Sequence, residues 1–305
     1  MDGKFVISLD FELHWGGAEK WDINSKNVYF ENTVKFIPEL LELFYKNRIK
    51  ATWATVGFLF AKDKEQLINF SPKLKPTYNQ KELSYYNIIP SIGKDEKSDP
   101  FHYAPSLIDL ILKTPGQELA THTFTHYYCN EPGQTVDQFD ADIKAAQQIA
   151  QENFGVALKS LVLPRNQFNE AYLEVAHKNG IKVLRSNPNV WFWNNDYGKL
   201  SPLLRATDTL LPISKSLSFD EIKEQKGVIL LPASRFFRTY KSKERIIQRV
   251  KMNRIKREMT YAAKHGVIYH LWWHPHNLAD DIENNRKQLI EILEHFKILN
   301  DKYNC

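Results

Sequence analysis

Short apolar segments with the length of β-strands alternate along this chain with segments whose apolar residues recur at helical spacing. The segments that read as buried strands are residues 5–9, 51–56, 117–121, 158–163, 181–184, 228–231 and 267–271. The helical patterns cover residues 31–47, 58–69, 105–113, 135–153, 169–178, 241–264 and 281–300. Such alternation is typical of parallel βα units and argues against a β-sandwich. The sequence therefore predicts an α/β fold with seven strands.

Clusters of polar residues follow five of these seven strands, at the point where each strand ends. In folds built from parallel βα units, the loops after the carboxyl ends of the strands carry the chemistry. We therefore expect one functional site at this edge. Its candidate residues are Asp10, Glu12, His122, His126, Arg165, Arg235, His274 and His276.

Two histidines four residues apart, His122 and His126, are separated by Thr-Phe-Thr and can converge on one metal ion. Two histidines with one carboxylate leave coordination positions open, as in catalytic rather than structural zinc sites. Asp10 and Glu12 lie two apart at a strand end, so that both side chains point to the same side. One carboxylate can bind the metal while the other accepts a proton from water. The residues alone leave the two roles interchangeable.

A histidine after the last predicted strand is expected to protonate the departing group, because imidazole titrates near physiological pH. His274 is preferred, since Pro275 stiffens its turn, and His276 is the substitute. Arg165 is expected to hold the base carboxylate through a bidentate pair. A salt-bridged surface arginine is the plain alternative for Arg165.

Four residues are expected to contact substrate: Trp15, Trp193, Arg235 and, besides its possible role as the acid, His276. Trp15 and Trp193 offer flat faces to sugar rings, although large aromatic side chains are also the usual material of cores. Arg235, just past a predicted strand, is placed for an anionic substrate. The basic segment 241–264 reads instead as an ordinary amphipathic helix with a solvated face.

The composition is that of an ordinary globular protein, with 43% hydrophobic and 25% charged residues in a chain of 305. We expect residues 1–305 to form a single domain, with a proline-rich irregular insertion at about 71–104 of the kind that is more often functional than accidental. The net charge of +5 is mild and accompanies no stacking-aromatic motif, so no nucleic-acid partner is expected.

Cysteine usage and hydropathy lead to an expected location. Cys129 and Cys305 lie far apart in sequence and form no disulfide framework, which favours a reduced setting. The first residues lack a basic region followed by a long apolar one, and no apolar run approaches the length of a membrane span. We therefore expect a cytoplasmic protein without a membrane span.

The order of these motifs resembles that of the polysaccharide deacetylase (NodB-like) family, over about residues 4–276. His122, Thr123 and His126 match its H-[ST]-x-x-H motif, and a histidine follows the last strand as in the family. Asp10-Phe-Glu12 resembles the D-x-E form of its first motif, and Pro164-Arg165 stands in the place of its arginine-proline motif. The resemblance implies a distorted (β/α)7 barrel of mostly parallel strands.

The resemblance also implies an activity and roles for the residues. Glu12, His122 and His126 would hold a divalent metal, Zn²⁺ or a similar ion, with Asp10 as base and either His274 or His276 as acid. The chain would then be a metal-dependent hydrolase that removes an N-acyl group, typically N-acetyl, from an amino sugar in an intracellular glycan or glycan precursor. The alternatives are a metal-independent amidohydrolase acting on a small C–N substrate, and a non-catalytic glycan-binding barrel.

Overall fold

A computed structural model of the chain describes residues 2–188, 190–194, 200–210, 214 and 216–305. The chain divides into two compact units, each of which is discontinuous in sequence. The central unit consists of Leu9–Ser186 and Lys223–Leu231, and the terminal unit of Met1–Ser8, Asn187–Ile222 and Pro232–Cys305. The single domain expected from the sequence stays a prediction.

The central unit contains most of the strands. Within it the strand order is β6-β7-β5-β4-β3-β2-β1, with parallel pairing from β2 to β5 and an antiparallel β6–β7 pair. The strands are β1 (Lys4–Phe11), β2 (Ala51–Thr55), β3 (Gln117–Thr121), β4 (Ser160–Val162), β5 (Val183–Ser186), β6 (Lys223–Gln225) and β7 (Val228–Pro232). The helices are α1 (Asn27–Lys46), α2 (Lys64–Phe70), α3 (Pro105–Lys113), α4 (Val136–Phe154) and α5 (Leu173–Lys178).

The terminal unit contains the start of β1 and the last two strands, in the order β1-β9-β8, with β8 and β9 parallel. These strands are β8 (Arg235–Phe236) and β9 (Ile268–Trp273). Its helices are α6 (Trp191–Asn194), α7 (Leu200–Leu210), α8 (Arg245–His265) and α9 (Ile282–Tyr303). Across the described part of the chain, none of the helices combines the length and apolar composition that crossing a bilayer requires.

All seven predicted strands are present, and the predicted α/β class with mostly parallel strands is confirmed. The two further strands, β6 and β8, are three and two residues long, too short to show a hydrophobic period. The helices α6 and α7 lie where no helix was predicted. The segment 71–104 contains three single turns of 3₁₀ helix, Lys81–Leu83, Tyr85–Asn87 and Ile89–Ser91.

Helix α4 shows how local sequence sets the frame of the central unit. The hydroxyl of Thr135 accepts a hydrogen bond from the backbone N–H of Gln138, and the Gln138 side chain returns to the backbone of Thr135. This capping box satisfies two backbone donors that the first turn leaves open. Gly155 ends the helix in the left-handed conformation, with φ of 66°. The helix is thereby fixed at both ends, and its apolar side, including Phe139, is buried.

Replacing the cap is expected to destabilise the fold measurably. Thr135→Ala should lower the free energy of unfolding by about 1 kcal/mol, because a backbone donor loses its partner. Urea unfolding followed by circular dichroism measures the change. Thr114→Ala is the control, since that hydroxyl only returns to the carbonyl of Leu110 in its own helix. Equal midpoints for Thr135→Ala and wild type would contradict this account of α4.

Candidate active site

Three predicted metal ligands meet in the central unit. The Nε2 atom of His122 lies 2.9 Å from Oε1 of Glu12, and Nε2 of His126 lies 3.2 Å from the same oxygen. One ligand atom from each residue lies within 4.8 Å of the others. Relative exposures of 4%, 1% and 2% show that Glu12, His122 and His126 are all buried. The sequence prediction that these three side chains converge agrees with the geometry.

The hydrogen bonding of His122 tests whether this cluster suits a cation. Among the residues that the structure describes, neither of the two buried ring nitrogens of His122 has a hydrogen-bond partner, although Nε2 lies so close to Glu12. Buried polar atoms normally form hydrogen bonds. The short distance between Nε2 of His122 and Glu12, without the geometry of a hydrogen bond, therefore needs another explanation. Two imidazole nitrogens and a carboxylate oxygen are the donor set of catalytic zinc sites. The residues present therefore fit a divalent cation.

The surroundings of His126 favour the protonation state that ligation requires. Burial lowers the pKa of His126, and the hydrogen bond and charge of Glu12 oppose this effect without cancelling it. A lowered pKa favours the neutral imidazole, which is the form that binds metals.

The loop that carries both histidines is aligned by the neighbouring strand end. Thr55 of β2 pairs in register with Thr121 of β3, and the next backbone N–H, of His122, donates to the carbonyl of Thr55 at 2.9 Å. The N–H of Gly57 donates to the carbonyl of Thr123, also at 2.9 Å. A Cβ on Gly57 would lie only 2.8 Å from Cα of Phe124. The two loops therefore run side by side at a distance that leaves no room for a side chain at position 57.

A buried carboxylate from α4 holds the same loop from the other side. Oδ1 of Asp142 accepts a hydrogen bond from the N–H of Phe124, and Oδ2 accepts from both the N–H and the hydroxyl of Thr125. Burial raises the pKa of Asp142 to about 7, and these three hydrogen bonds only partly offset the rise.

The histidine loop also has an unusual backbone. Thr123 and His126 have φ of 66° and 58°, in the left-handed region that non-glycine residues seldom adopt. Such conformations cost of order 1–3 kcal/mol each and persist where the surroundings enforce them. Here the hydroxyl of Thr123 accepts a hydrogen bond from the N–H of Tyr127. The strain falls on the two residues that shape the HTFTH loop.

The arginine that contacts Asp10 is Arg185, at the end of β5, and not Arg165 as predicted. Nη1 and Nη2 of Arg185 donate to the two carboxylate oxygens of Asp10 at 2.6 and 2.7 Å, and both side chains are buried. Nη2 also donates to Oδ1 of Asn166 at 2.9 Å. The predicted bidentate pair therefore exists, but a different strand supplies the arginine.

Arg165 lies elsewhere because of the turn that contains it. Arg165 and Asn166 both have left-handed φ, of 55° and 51°. The guanidinium of Arg165 pairs with Glu19 and Glu131 and lies 4.0 Å from the ring centre of Tyr128. Arg165 therefore binds two carboxylates other than that of Asp10.

A comparison with known protein families identifies the family of this chain. The sequence profile of the family described as polysaccharide deacetylase matches residues 26–184, slightly more than half of the chain. The chain belongs to the polysaccharide deacetylase family. A search among curated proteins found no match.

Solved structures resemble this family member in fold at low sequence identity. A protein of Mycobacterium smegmatis classed as a polysaccharide deacetylase has a TM-score of 0.59 at 10% identity, over 98% of this chain and 85% of that one. A Pseudomonas aeruginosa protein classed in the same way has 0.57 at 9%, over 95% and 83%. The PuuE allantoinase has 0.55 at 10%, over 96% and 83%. The predicted fold, a distorted (β/α) barrel of mostly parallel strands, is confirmed by this likeness.

Two residues of this polysaccharide deacetylase family member that were predicted to contact substrate are buried. Trp15 has a relative exposure of 0%, and its indole N–H donates to the carbonyl of His102. Arg235 is buried and donates two hydrogen bonds to Glu258 and one to the carboxylate of Asp208. Residue type and strand-end position suggested both contacts, whereas burial in the core removes both side chains from solvent.

Three predicted residues lie in the terminal unit. Trp193 is half-buried, with the guanidinium of Arg205 4.1 Å from its ring centre. His274 is half-buried and its Nδ1 lies 2.9 Å from Oδ1 of Asn277. His276 is buried and stacks on His274 with ring centres 4.9 Å apart. The substrate and acid roles expected for these residues stay predictions.

Sequence reasoning missed Arg185, Asn166 and Asp142 as site residues. Arg185 had a usable signal, because it is a charged residue at the end of a predicted apolar strand. Asp142 had none, since an aspartate within an amphipathic helix normally lies on the solvated face.

The raised pKa of Asp142 predicts a pH-dependent stability. The folded chain should bind a proton at Asp142 that the unfolded chain releases between its ordinary pKa of 3.8 and about 7. The free energy of unfolding, taken relative to Asp142→Asn, should therefore fall by up to about 1.4 kcal/mol per pH unit as pH rises through this window. Urea titrations at several pH values measure the difference.

Asp140→Asn, on the same helix, is the matched control. Burial of Asp140 acts to raise its pKa, but hydrogen bonds from Lys144 and Asn179 outweigh it and leave the pKa lowered. The stability from Asp140 should therefore be present above its ordinary pKa and be lost as pH falls, the opposite sign. A difference between wild type and Asp142→Asn that stays constant across the window would contradict the assignment.

Proposed function

We propose that the chain is a metal-dependent hydrolase that removes an N-acetyl or related N-acyl group from an amino sugar. The observation that carries this proposal is the buried convergence of His122, His126 and Glu12, which each offer one ligand atom within 4.8 Å of the others. Membership of the polysaccharide deacetylase family supports the class of substrate. An intracellular glycan or glycan precursor as substrate, and a cytoplasmic location, remain predictions.

The two acidic residues of the first motif take different roles in this proposal. Glu12 is proposed as the metal ligand, because one of its oxygens lies close to both imidazole nitrogens. Asp10 is proposed as the base, because Arg185 binds both of its oxygens and holds the carboxylate in a single orientation.

The proposed reaction needs few groups from the chain. Glu12, His122 and His126 would hold the cation, Zn²⁺ or a similar ion, which when bound polarises a carbonyl group and makes water more acidic. Asp10 accepts the proton of the attacking water while Arg185 keeps its carboxylate oriented. The water oxygen bonds to the acyl carbon, the C–N bond breaks, and the amine leaves with a proton. His274 is the donor predicted for that proton, with His276 as its substitute.

Release of acetate from an N-acetylglucosamine oligosaccharide tests the proposal. We expect turnover by the Zn²⁺-loaded protein, and a loss of at least about 100-fold in His122→Ala, because the cation loses one of three ligands. His265→Ala, at an exposed position of α8, is the control and should keep wild-type activity. Full activity of His122→Ala, or of chelator-treated protein, would overturn the metal mechanism. The second result would favour a metal-independent amidohydrolase.

Arg185→Lys tests the orientation of the base. Lysine keeps the positive charge but cannot form two parallel hydrogen bonds, so kcat should fall by about 10-fold or more while the protein stays folded. Arg249→Lys, at an exposed site on α8, serves as the control. Steady-state kinetics on the same oligosaccharide measures the effect, and an unchanged kcat would exclude Arg185 as a positioning residue.

A further inference from the structure

A line of hydrogen bonds runs within the central unit from a carboxylate to one of the proposed metal ligands. The hydroxyl of Tyr85 donates to Oε2 of Glu19. The hydroxyl oxygens of Tyr85 and Tyr128 lie 2.9 Å apart, and Nδ1 of His126 lies 2.9 Å from the hydroxyl oxygen of Tyr128. Both tyrosines and the histidine are buried, and the ring of Tyr85 lies parallel to that of His126.

The direction of every hydrogen bond in this line follows from its first member. An ionised carboxylate only accepts hydrogen bonds, so the single hydroxyl proton of Tyr85 is donated to Glu19. The bond between the two phenols must then be donated by Tyr128. Tyr128 has no second proton, so that its contact with His126 requires a proton on Nδ1 of the imidazole. Nε2 then keeps its lone pair for a cation, which would replace the hydrogen bond that joins Nε2 to Oε1 of Glu12 at 3.2 Å. Without a cation, a second proton on Nε2 can be donated to Glu12.

The negative charge of Glu19, the first residue of this line, is stabilised by its neighbours. Burial alone would raise the pKa of Glu19, but the hydrogen bond from Tyr85 and the charges of Arg165 and Lys20 together bring it below the ordinary value. Arg165 pairs with Glu19 and also lies over the ring of Tyr128. The left-handed turn that takes Arg165 away from Asp10 thus places it on this line.

We propose that Glu19, through Tyr85 and Tyr128, sets the tautomer of His126, so that Nδ1 carries the proton and Nε2 keeps its lone pair for the metal. Glu19, Tyr85, Tyr128 and Arg165 are positioning residues, since none of them would touch the cation or the substrate. The inference rests on the proposed metal role of His126. Groups that fix a ligating histidine in this way typically change metal affinity by about 10–100-fold when removed.

Tyr85→Phe separates this inference from a merely structural role. The variant removes the acceptor for the Tyr128 proton, so Tyr128 becomes free to donate to Nδ1 and the tautomer of His126 with its proton on Nε2 becomes favourable. The Zn²⁺ dissociation constant, measured by competition with a chromophoric chelator, should rise about 10-fold or more. Tyr86→Phe is the matched control, because this neighbouring buried tyrosine lies outside the line, and it should bind Zn²⁺ as wild type does.

The tautomer itself is read from long-range ¹H–¹⁵N correlation spectra of histidine-labelled protein, with the His126 signals assigned by their loss in His126→Asn. Metal-free wild type should show a proton on Nδ1, with or without a second proton on Nε2 donated to Glu12, and metal-free Tyr85→Phe should show a new population protonated on Nε2 alone. If Tyr85→Phe does not fold, Tyr128→Phe is used, which removes the partner of Nδ1 and should also weaken Zn²⁺ binding. A wild-type His126 protonated on Nε2 alone, or an unchanged Zn²⁺ affinity in the folded variant, would overturn the inference.

Neither readout depends on turnover, so the two proposals fail separately. A wild-type protein that binds Zn²⁺ and shows the Nδ1 proton, yet releases no acetate, would refute the proposed function and support the tautomer assignment. Acetate release together with a Zn²⁺ affinity that is identical in wild type and Tyr85→Phe would do the reverse.

Discussion

A carboxylate oxygen enclosed with two imidazole nitrogens is the interaction on which the rest of the central unit depends. Removing a charge from water is costly unless a partner compensates for it, and a cation between these three atoms would supply that partner. The surrounding residues hold the three groups from different directions. Asp142 fixes the loop between His122 and His126, and the line from Glu19 reaches the far side of the His126 ring. The residues that hold the ligands in position are therefore as much a part of the site as the ligands themselves.

Much of the fold was readable in the sequence because hydrophobic period is a local property. Each buried parallel strand leaves a short apolar run, and the seven runs were recognisable one at a time. Strands β6 and β8 were not predicted, because segments of three and two residues are too short to show a hydrophobic period. The convergence of Glu12 with His122 and His126 was likewise predictable, since parallel strands bring their carboxyl ends to one edge.

The rest of the site depends on side-chain direction and burial, which composition and spacing do not contain. Arg165 and Arg185 both lie at strand ends, and spacing does not tell which one meets Asp10. Arg165 lies in a left-handed turn and pairs with Glu19, whereas Arg185 pairs with Asp10. Trp15 was expected to bind sugar, but tryptophan suits a binding face and a core equally well, and here it is core. Arg235 was expected to bind an anion, and two internal carboxylates take that place.

Gly57 shows that the geometry of the cluster depends on residues other than its ligands. A methyl group at this position would press on the backbone of Phe124, midway between the two histidines. At Gly16 a methyl group would collide with the carboxylate of Glu12 itself. A homologue can therefore retain every ligand and still lose the geometry through one added carbon atom. In a divergent relative, the residues at positions 16 and 57 therefore bear on the geometry of the cluster together with the acid and the two histidines.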